Sequence, residues 1–348
     1  MPHQASYDVG LAEASDQLLG VQGKIAVAFT TPADCNAYGI AYRFVARFLK
    51  DQDIVVTDQQ IRLNENRDGK HFRFTSESFV DSILDSTTRG EAFTADGKTT
   101  VTYEEPEAQA VSLPLSIFPI HHTRQIIESA EAGVPIMESH VFQGDADAEK
   151  NTTSTVIIMP LGEAELASEI AGYGRAAEPK ADEPTVDGND DAVPIDGPNA
   201  PVTPPDGPQA GSEAQPNGAA PDAETGEREG PAEPGLDSGP EAPSDLTPPD
   251  GDAAADMEIM PSDGDRTASE PAAIASRLKG LQAWRISESF YNSDSNENGL
   301  AVFQATYTLF ENGVTGNQLL KFDGYMLRAT LASLDVQDAP SCAVPAGG

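Results

Sequence analysis

Two adjacent histidines, His121 and His122, are of a residue type that could bind a metal ion. They fall in a stretch, 120–132, that we expect to be helical, and neighbouring side chains on a helix point about 100° apart. The two side chains are therefore poorly placed to bind the same metal ion. A metal site that also uses His71 or His140 has no specific support in the sequence. The pattern favours polarity and packing at a helix start, and no metal or other cofactor is predicted.

A second candidate is the segment from Asp294 to Gly299, which matches the first half of a calcium-binding loop. Such a loop needs a bidentate glutamate at its twelfth position, where this chain has Ala305. The flanking patterns are also typical of strands and not of helices. A polar hairpin turn explains the same residues.

Motifs of the common hydrolases and nucleotide-binding enzymes are missing from the sequence. It contains no Gly-x-Ser-x-Gly, no His-Glu-x-x-His and no glycine-rich phosphate loop. The adjacent carboxylates Glu104 and Glu105 fit a solvated strand end. Trp284, the single tryptophan, opens an expected strand and is interpreted as a core or barrel-edge anchor. We predict that the protein is not an enzyme.

The two cysteines, Cys35 and Cys342, lie near opposite ends of the chain. Without a Cys-x-x-Cys motif, a redox-active dithiol or a zinc site is not indicated. Their positions alone leave two alternatives open, a disulfide bond or two buried thiols. A persistent structural disulfide would imply an oxidising compartment.

The elements that must position these residues are mostly β-strands. Short alternating segments recur about every ten residues, which is typical of an antiparallel sheet, sandwich or barrel. We interpret Asp68-Gly69, Thr88-Arg89-Gly90 and Asp96-Gly97 as turns, and we expect short helices at 120–132 and 163–171. The predicted strands are 7–11, 22–29, 38–49, 54–63, 71–74, 99–103, 136–142, 154–159, 283–291, 300–310, 319–322 and 325–334.

Charge and proline are concentrated between residues 176 and 270. The chain carries 57 acidic and 21 basic residues, a net charge of −36. This segment holds 24 of the acidic residues, 3 of the basic ones, 17 of the 27 prolines and no aromatic residue. Such a composition buries too little apolar surface to fold, so we predict a long disordered acidic insert. The overall charge argues against nucleic acid and anionic membranes as partners.

The insert divides the chain into 1–175, 176–270 and 271–348. The last part has too few strands for a core of its own, so we expect it to complete the sheet begun by the first. No apolar run approaches the ~20 residues of a membrane span, so no transmembrane segment is predicted. The start, Met1-Pro2-His3-Gln4, lacks the features of a signal peptide.

Four stretches resemble the EipB cell-envelope integrity family of alphaproteobacterial periplasmic proteins, long catalogued as a domain of unknown function. The most specific runs from Leu113-Pro114 through Phe118-Pro119-Ile120-His121-His122-Thr123 to Val141-Phe142-Gln143-Gly144. The other three are His3 to Leu11, Cys35 with Tyr38, and a C-terminal set of Trp284, Tyr307 to Phe310, Glu311 to Val314 and Cys342.

This resemblance implies a mainly β fold, an antiparallel spiral-like broken β-barrel, and a periplasmic location. It also implies a structural disulfide between Cys35 and Cys342. Because no signal peptide is seen, we expect the chain to be a mature form, its signal peptide removed, or to have a misplaced start. The acidic insert is not expected of a typical family member.

The leading functional hypothesis is a non-enzymatic periplasmic protein that supports cell-envelope integrity through protein contacts. The resemblance suggests a partner with helical repeats of the tetratricopeptide kind. One alternative is a carrier that holds a lipid or a lipoprotein acyl chain on an apolar concave sheet, which a pocket of several hundred Å³ would favour. The other is a hydrolase acting on cell-wall material, which requires a polar cleft.

Overall fold

One antiparallel sheet of fourteen strands dominates the computed structural model. The structure describes residues 1–13, 18–32, 35–50, 53–175, 270–293, 295 and 299–338. The strands are β1 (His3–Glu13), β2 (Gly20–Thr30), β3 (Ala37–Leu49), β4 (Ile54–Asn66), β5 (His71–Val80), β6 (Ile83–Ala95), β7 (Lys98–Glu105), β8 (Gln109–Pro114), β9 (Ile136–His140), β10 (Thr153–Pro160), β11 (Ala283–Tyr291), β12 (Phe303–Phe310), β13 (Thr315–Phe322) and β14 (Tyr325–Val336).

Strands from both sides of residues 176–269 share this sheet. Its order is β8-β7-β6-β5-β4-β3-β2-β1-β14-β13-β12-β11-β10-β9. The first strand pairs with the last, with Tyr7 opposite Leu331, and β10 pairs with β11, with Ile158 opposite Ile286. The later strands therefore extend the sheet that the earlier ones begin.

The sheet curls into a barrel whose two edge strands, β8 and β9, meet at one corner only. Just beyond those strands, Ile117 and Val141 form a parallel bridge. The Ile117 amide donates to the His140 carbonyl at 2.9 Å, and the Phe142 amide donates to the Ile117 carbonyl at 3.0 Å. The predicted antiparallel, spiral-like broken barrel is thus confirmed. We call its interior the lumen.

Three α-helices accompany the described strands: α1 (Pro119–Glu131), α2 (Glu163–Ile170) and α3 (Glu270–Leu278). The first two are the helices that the sequence predicted, and the third was missed. Because α3 begins at Glu270, the last residue of the predicted insert already belongs to a helix. The remaining insert residues, 176–269, lie outside the described part of the chain.

The interpretation of Thr88-Arg89-Gly90 as a turn is wrong, because these residues lie inside β6. A Cβ atom on Gly90 would lie 2.4 Å from the Thr102 carbonyl oxygen and 2.9 Å from the Phe74 ring. The register also shifts between Arg89 and Gly90. Here glycine allows close packing at a strand irregularity and does not reverse the chain. The sequence analysis missed both β6 and β8 as strands.

Strand alternation decides which side chains fill the lumen. On the β5–β8 side, Phe118 and Phe142 enter from the segments that follow β8 and β9, and Phe118 stacks on Phe72 at 5.0 Å. On the β10–β12 side, α1 supplies Ile126 and Ala130. Aromatic rings and one helix therefore occupy much of the lumen.

The other two helices pack against the same sheet. Arg285 on β11 and Thr308 on β12 alternate with residues that contact α1, so they lie on the outer face of the sheet. Both donate hydrogen bonds to the Glu169 carboxylate of α2, at 2.7 Å each. Burial alone would raise the pKa of Glu169, but hydrogen bonds from Tyr173, Thr308 and Arg285 outweigh it and lower the pKa. The β11–β12 pair thus lies between α1 on the lumen face and α2 on the outer face.

Strand pairing brings the start of β1, the end of β2 and the end of β14 to one end of the barrel. His3 pairs with Phe29 near the end of β2 and with Val336 at the end of β14. Cys35, which is 9% exposed, lies in the connection after β2, and the chain toward Cys342 leaves from β14. Cys342 lies outside the described residues, so the disulfide stays a prediction.

Thiol counting tests this disulfide. Exported protein, denatured and alkylated without reductant, should take up no label because both sulfur atoms are bonded, and two labels after reduction, as measured by mass. A Cys342→Ser variant should take up one label without reductant. Two labels on the unreduced wild-type protein would disprove the bond.

Candidate functional site: a helix held in the lumen

The most conspicuous polar feature of the lumen is the first turn of α1. Pro119 occupies the first helical turn, where its missing N–H costs nothing, but Phe118 at the N-cap provides no side-chain acceptor. The free backbone N–H groups of a helix start need partners. They obtain them from a strand far away in sequence.

Glu65 of β4 caps this helix. Its side chain is fully buried, and its two carboxylate oxygens accept the backbone N–H groups of Ile120 at 2.9 Å and His121 at 3.1 Å. The same carboxylate contacts Nδ1 of the His121 ring. A negative charge at a helix N-terminus is stabilised by the helix dipole as well as by these bonds.

Glu288 of β11 binds the next residue of the helix. One oxygen of its buried carboxylate accepts Nε2–H of His122 at 2.8 Å and the Ser154 hydroxyl at 2.6 Å. The other oxygen accepts the Tyr307 hydroxyl at 3.0 Å. Burial raises the pKa of Tyr307 well above its ordinary value, and the charge of Glu288 raises it further, so this hydroxyl stays a donor. We call Glu65 and Glu288 the anchoring glutamates.

The anchoring glutamates stand on opposite walls of the barrel. Six strands separate β4 from β11 in one direction, and six separate them in the other if the seam between β8 and β9 is crossed. Consecutive residues of one helix, His121 and His122, therefore reach carboxylates half a barrel apart. This arrangement holds α1 across the lumen.

The predicted role of the histidine pair, polarity and packing at a helix start, is confirmed. His122 is 5% exposed, and its Nδ1 has no hydrogen-bond partner within the described part of the chain. His71 instead contacts the exposed Glu91, and His140 contacts Thr153. Across the described residues, no three His, Cys, Asp or Glu side chains group closely enough to hold a metal ion.

The other candidates from the sequence lie elsewhere. Trp284 is buried against α1, as predicted for a core residue. Glu104 and Glu105 both bind the exposed Arg89, which fits a solvated strand end. Of the segment Asp294 to Gly299, only Ser295 and Gly299 are described, and it connects the paired strands β11 and β12.

A cavity of about 250 Å³ opens beside α1, against β11, β12 and β13. Apolar side chains, among them two phenylalanines, form much of its wall. Among the described residues around it, Glu288 alone carries a charge. The lining residues are Thr123, Gln143, Glu288, Phe290, Phe303, Ala305, Tyr307, Leu309, Thr315 and Gln318.

Ser154 and His122 both bind Glu288, but these three side chains are not connected in the order that nucleophilic catalysis requires. The Ser154 hydroxyl donates to Glu288, whereas a nucleophilic serine bonds to a histidine that accepts its proton. Ser154 is also fully buried. This geometry suits a structural hydrogen-bond network.

Comparison with known proteins agrees with this barrel. The model of the EipB-like family matches residues 1–178 and 258–338. The chain belongs to the EipB-like family. It is also similar to the cell envelope integrity protein EipB of Brucella abortus (strain 2308), at 35% identity over 161 residues. That match covers 45% of this chain and 57% of the relative.

A solved structure shares the fold. It is the crystal structure of a β-barrel-like protein of domain of unknown function DUF1849 from Brucella abortus, with a TM-score of 0.61 at 21% identity. The match covers 97% of this chain and 98% of the other. Among the described helices, none has the length and apolar character needed to cross a membrane.

Replacing Glu65 by glutamine tests the anchoring. Glutamine presents one acceptor oxygen and an NH₂ group that opposes the helix N–H donors, so we expect a loss of about 2–3 kcal/mol in the free energy of unfolding. Urea denaturation followed by circular dichroism measures it.

Glu91→Gln is the matched control. Glu91 also contacts a histidine, His71, but its side chain is 51% exposed, so its loss should cost less than about 1 kcal/mol. Equal destabilisation by the two variants would contradict a special role for Glu65.

Proposed function

We propose that this protein supports the integrity of the cell envelope from the periplasm, as a non-enzymatic protein that acts through contacts with another protein. The name of the Brucella relative supports the role in the envelope. The predicted disulfide is consistent with an oxidising compartment. The main structural support for a protein contact is an apolar surface on the outside of the barrel.

This surface, the outer strip, consists of Val134, Ile136, Ile157 and Met159, which are 41–59% exposed. Ile136 and Ile157 lie opposite each other on β9 and β10. They face outward because the residues that alternate with them, such as Val156 and Ile158, are buried against α1. Contiguous exposed apolar side chains mark interaction surfaces in soluble proteins.

The outer strip lies at an open edge of the sheet. Strand β9 pairs with β10 on one side, and on the other side the contact with the segment after β8 is confined to the corner bridge. Unpaired strand edges invite contact with another chain. Apolar side chains and free backbone groups together make this region suitable for docking.

The partner that we propose is a periplasmic protein with helical repeats of the tetratricopeptide kind. Glu138 follows Ile136 on the same face of β9, and Glu163 and Glu165 lie in the first turn of α2, just after β10. The partner surface should therefore combine apolar side chains with a basic rim.

A double substitution, Ile136→Asp with Ile157→Asp, tests this proposal. Both side chains point to solvent, so the barrel should fold, but two carboxylates in the docking surface should weaken binding by at least tenfold. The expected result is loss of detergent resistance when the variant replaces the wild-type protein in cells, with loss of the cross-linked periplasmic complex.

The control is Ile83→Asp, at a side chain that is 73% exposed on the β5–β6 hairpin. It should preserve both resistance and cross-linking. Full rescue by the outer-strip variant would disprove the proposed surface. Loss of rescue in a Ser154→Ala variant that folds normally and retains the complex would instead favour the hydrolase alternative.

A further inference from the structure

The cavity beside α1 is one end of a longer apolar path. Six aromatic rings follow one another around the lumen wall, each within 6.5 Å of the next between ring centroids. We call this set the aromatic arc; in order it comprises Phe290, Phe303, Phe322, Tyr325, Phe48 and Phe44.

Strand register places the arc on the lumen face. Phe322 lies opposite Tyr325 on β13 and β14, and Phe44 lies opposite Ile25 on β3 and β2. Phe290 and Phe303 belong to both the arc and the cavity wall. Several of these rings are only half-buried, so the path retains apolar surface that the protein itself does not cover.

The size of the cavity limits its occupant. Its volume of about 250 Å³ lies below the usual range of ~300–1,000 Å³ for pockets that hold drug-sized molecules. It offers space for about eight methylene-sized groups, if each takes ~30 Å³ as a water molecule does. A single unbranched chain fits this space better than a bulky ligand.

Charge limits the end group of that occupant. Glu288 is the one charged residue among the described residues of the lining, and its carboxylate already accepts three hydrogen bonds. An anionic group near it would be repelled. An uncharged or cationic end is compatible with the carboxylate and with the neutral polar groups of Gln143, Thr315 and Gln318.

We propose that the cavity between α1 and β11–β13 binds a single alkyl chain of about eight carbons that carries an uncharged or cationic end group. The aromatic arc provides the apolar wall along which a longer chain continues. This site faces the lumen and is separate from the outer strip. If the cavity does not bind an alkyl chain, the proposed function through the outer strip is unaffected.

Titration calorimetry with three eight-carbon probes on the full chain tests the proposal. We expect 1-octanol to bind saturably below its solubility limit and octyltrimethylammonium below its micelle-forming concentration, and octanoate to bind at least tenfold more weakly. No saturable binding of 1-octanol, or tighter binding of octanoate than of octyltrimethylammonium, would overturn the proposal.

A cavity-filling variant locates the binding. Ala305→Leu places a larger side chain in the lining and should weaken 1-octanol binding at least tenfold, whereas Ala110→Leu, at an exposed position on β8, should leave it unchanged. Equal binding by a folded Ala305→Leu variant would contradict the assignment.

A photoreactive analogue of 1-octanol gives an independent readout on the wild-type protein. Cross-links should map to Phe290, Phe303, Ala305 or Leu309. Cross-links confined to the outer strip would overturn the proposed site, even if Ala305→Leu failed to fold.

Discussion

The barrel depends on two buried carboxylates that bind the same turn of one helix. Burying a charge is costly unless hydrogen bonds and opposite partial charges compensate for it. Glu65 is compensated by the N–H groups of Ile120 and His121, and Glu288 by His122, Ser154 and Tyr307. If α1 left the lumen, Glu65 would lose both of these N–H donors, and Glu288 would lose His122 and keep only Ser154 of β10 and Tyr307 of β12. The helix therefore supplies hydrogen bonds that compensate both buried charges.

This dependence explains how a broken barrel keeps a defined interior. Among the described residues, β8 and β9 do not pair with each other, and the isolated bridge between Ile117 and Val141 joins the segments that follow them. The connection that contains α1 starts just beyond that bridge, crosses the lumen and returns to β9. Ile126 and Ala130 then bury the helix against β10, β11 and β12. Closure depends on side-chain anchoring inside the barrel as much as on the corner bridge.

Sequence periodicity predicted α1 and twelve of the fourteen strands, all except β6 and β8, but not what holds them together. The failure at Gly90 was local: glycine signals both turns and close packing, and only the Thr102 and Phe74 contacts distinguish the two. The anchoring glutamates were missed, although each continues an apolar series on a lumen face, Glu65 after Ile61 and Leu63, and Glu288 between Ile286 and Phe290. A charge in such a series predicts a buried partner; which partner depends on long-range topology.

Native-state hydrogen exchange at the amides of Ile120 and His121 measures whether Glu65 holds the start of α1. If Glu65 holds the helix start in the wild-type protein, these two amides should exchange as slowly as the amides of the β1–β14 ladder, because exchange then requires global unfolding. Their protection should far exceed that of an exposed helix end, where fraying allows rapid exchange. Exchange of both amides at the rate of a frayed helix end, with the β1–β14 ladder still protected, would show that Glu65 does not hold α1 in the lumen.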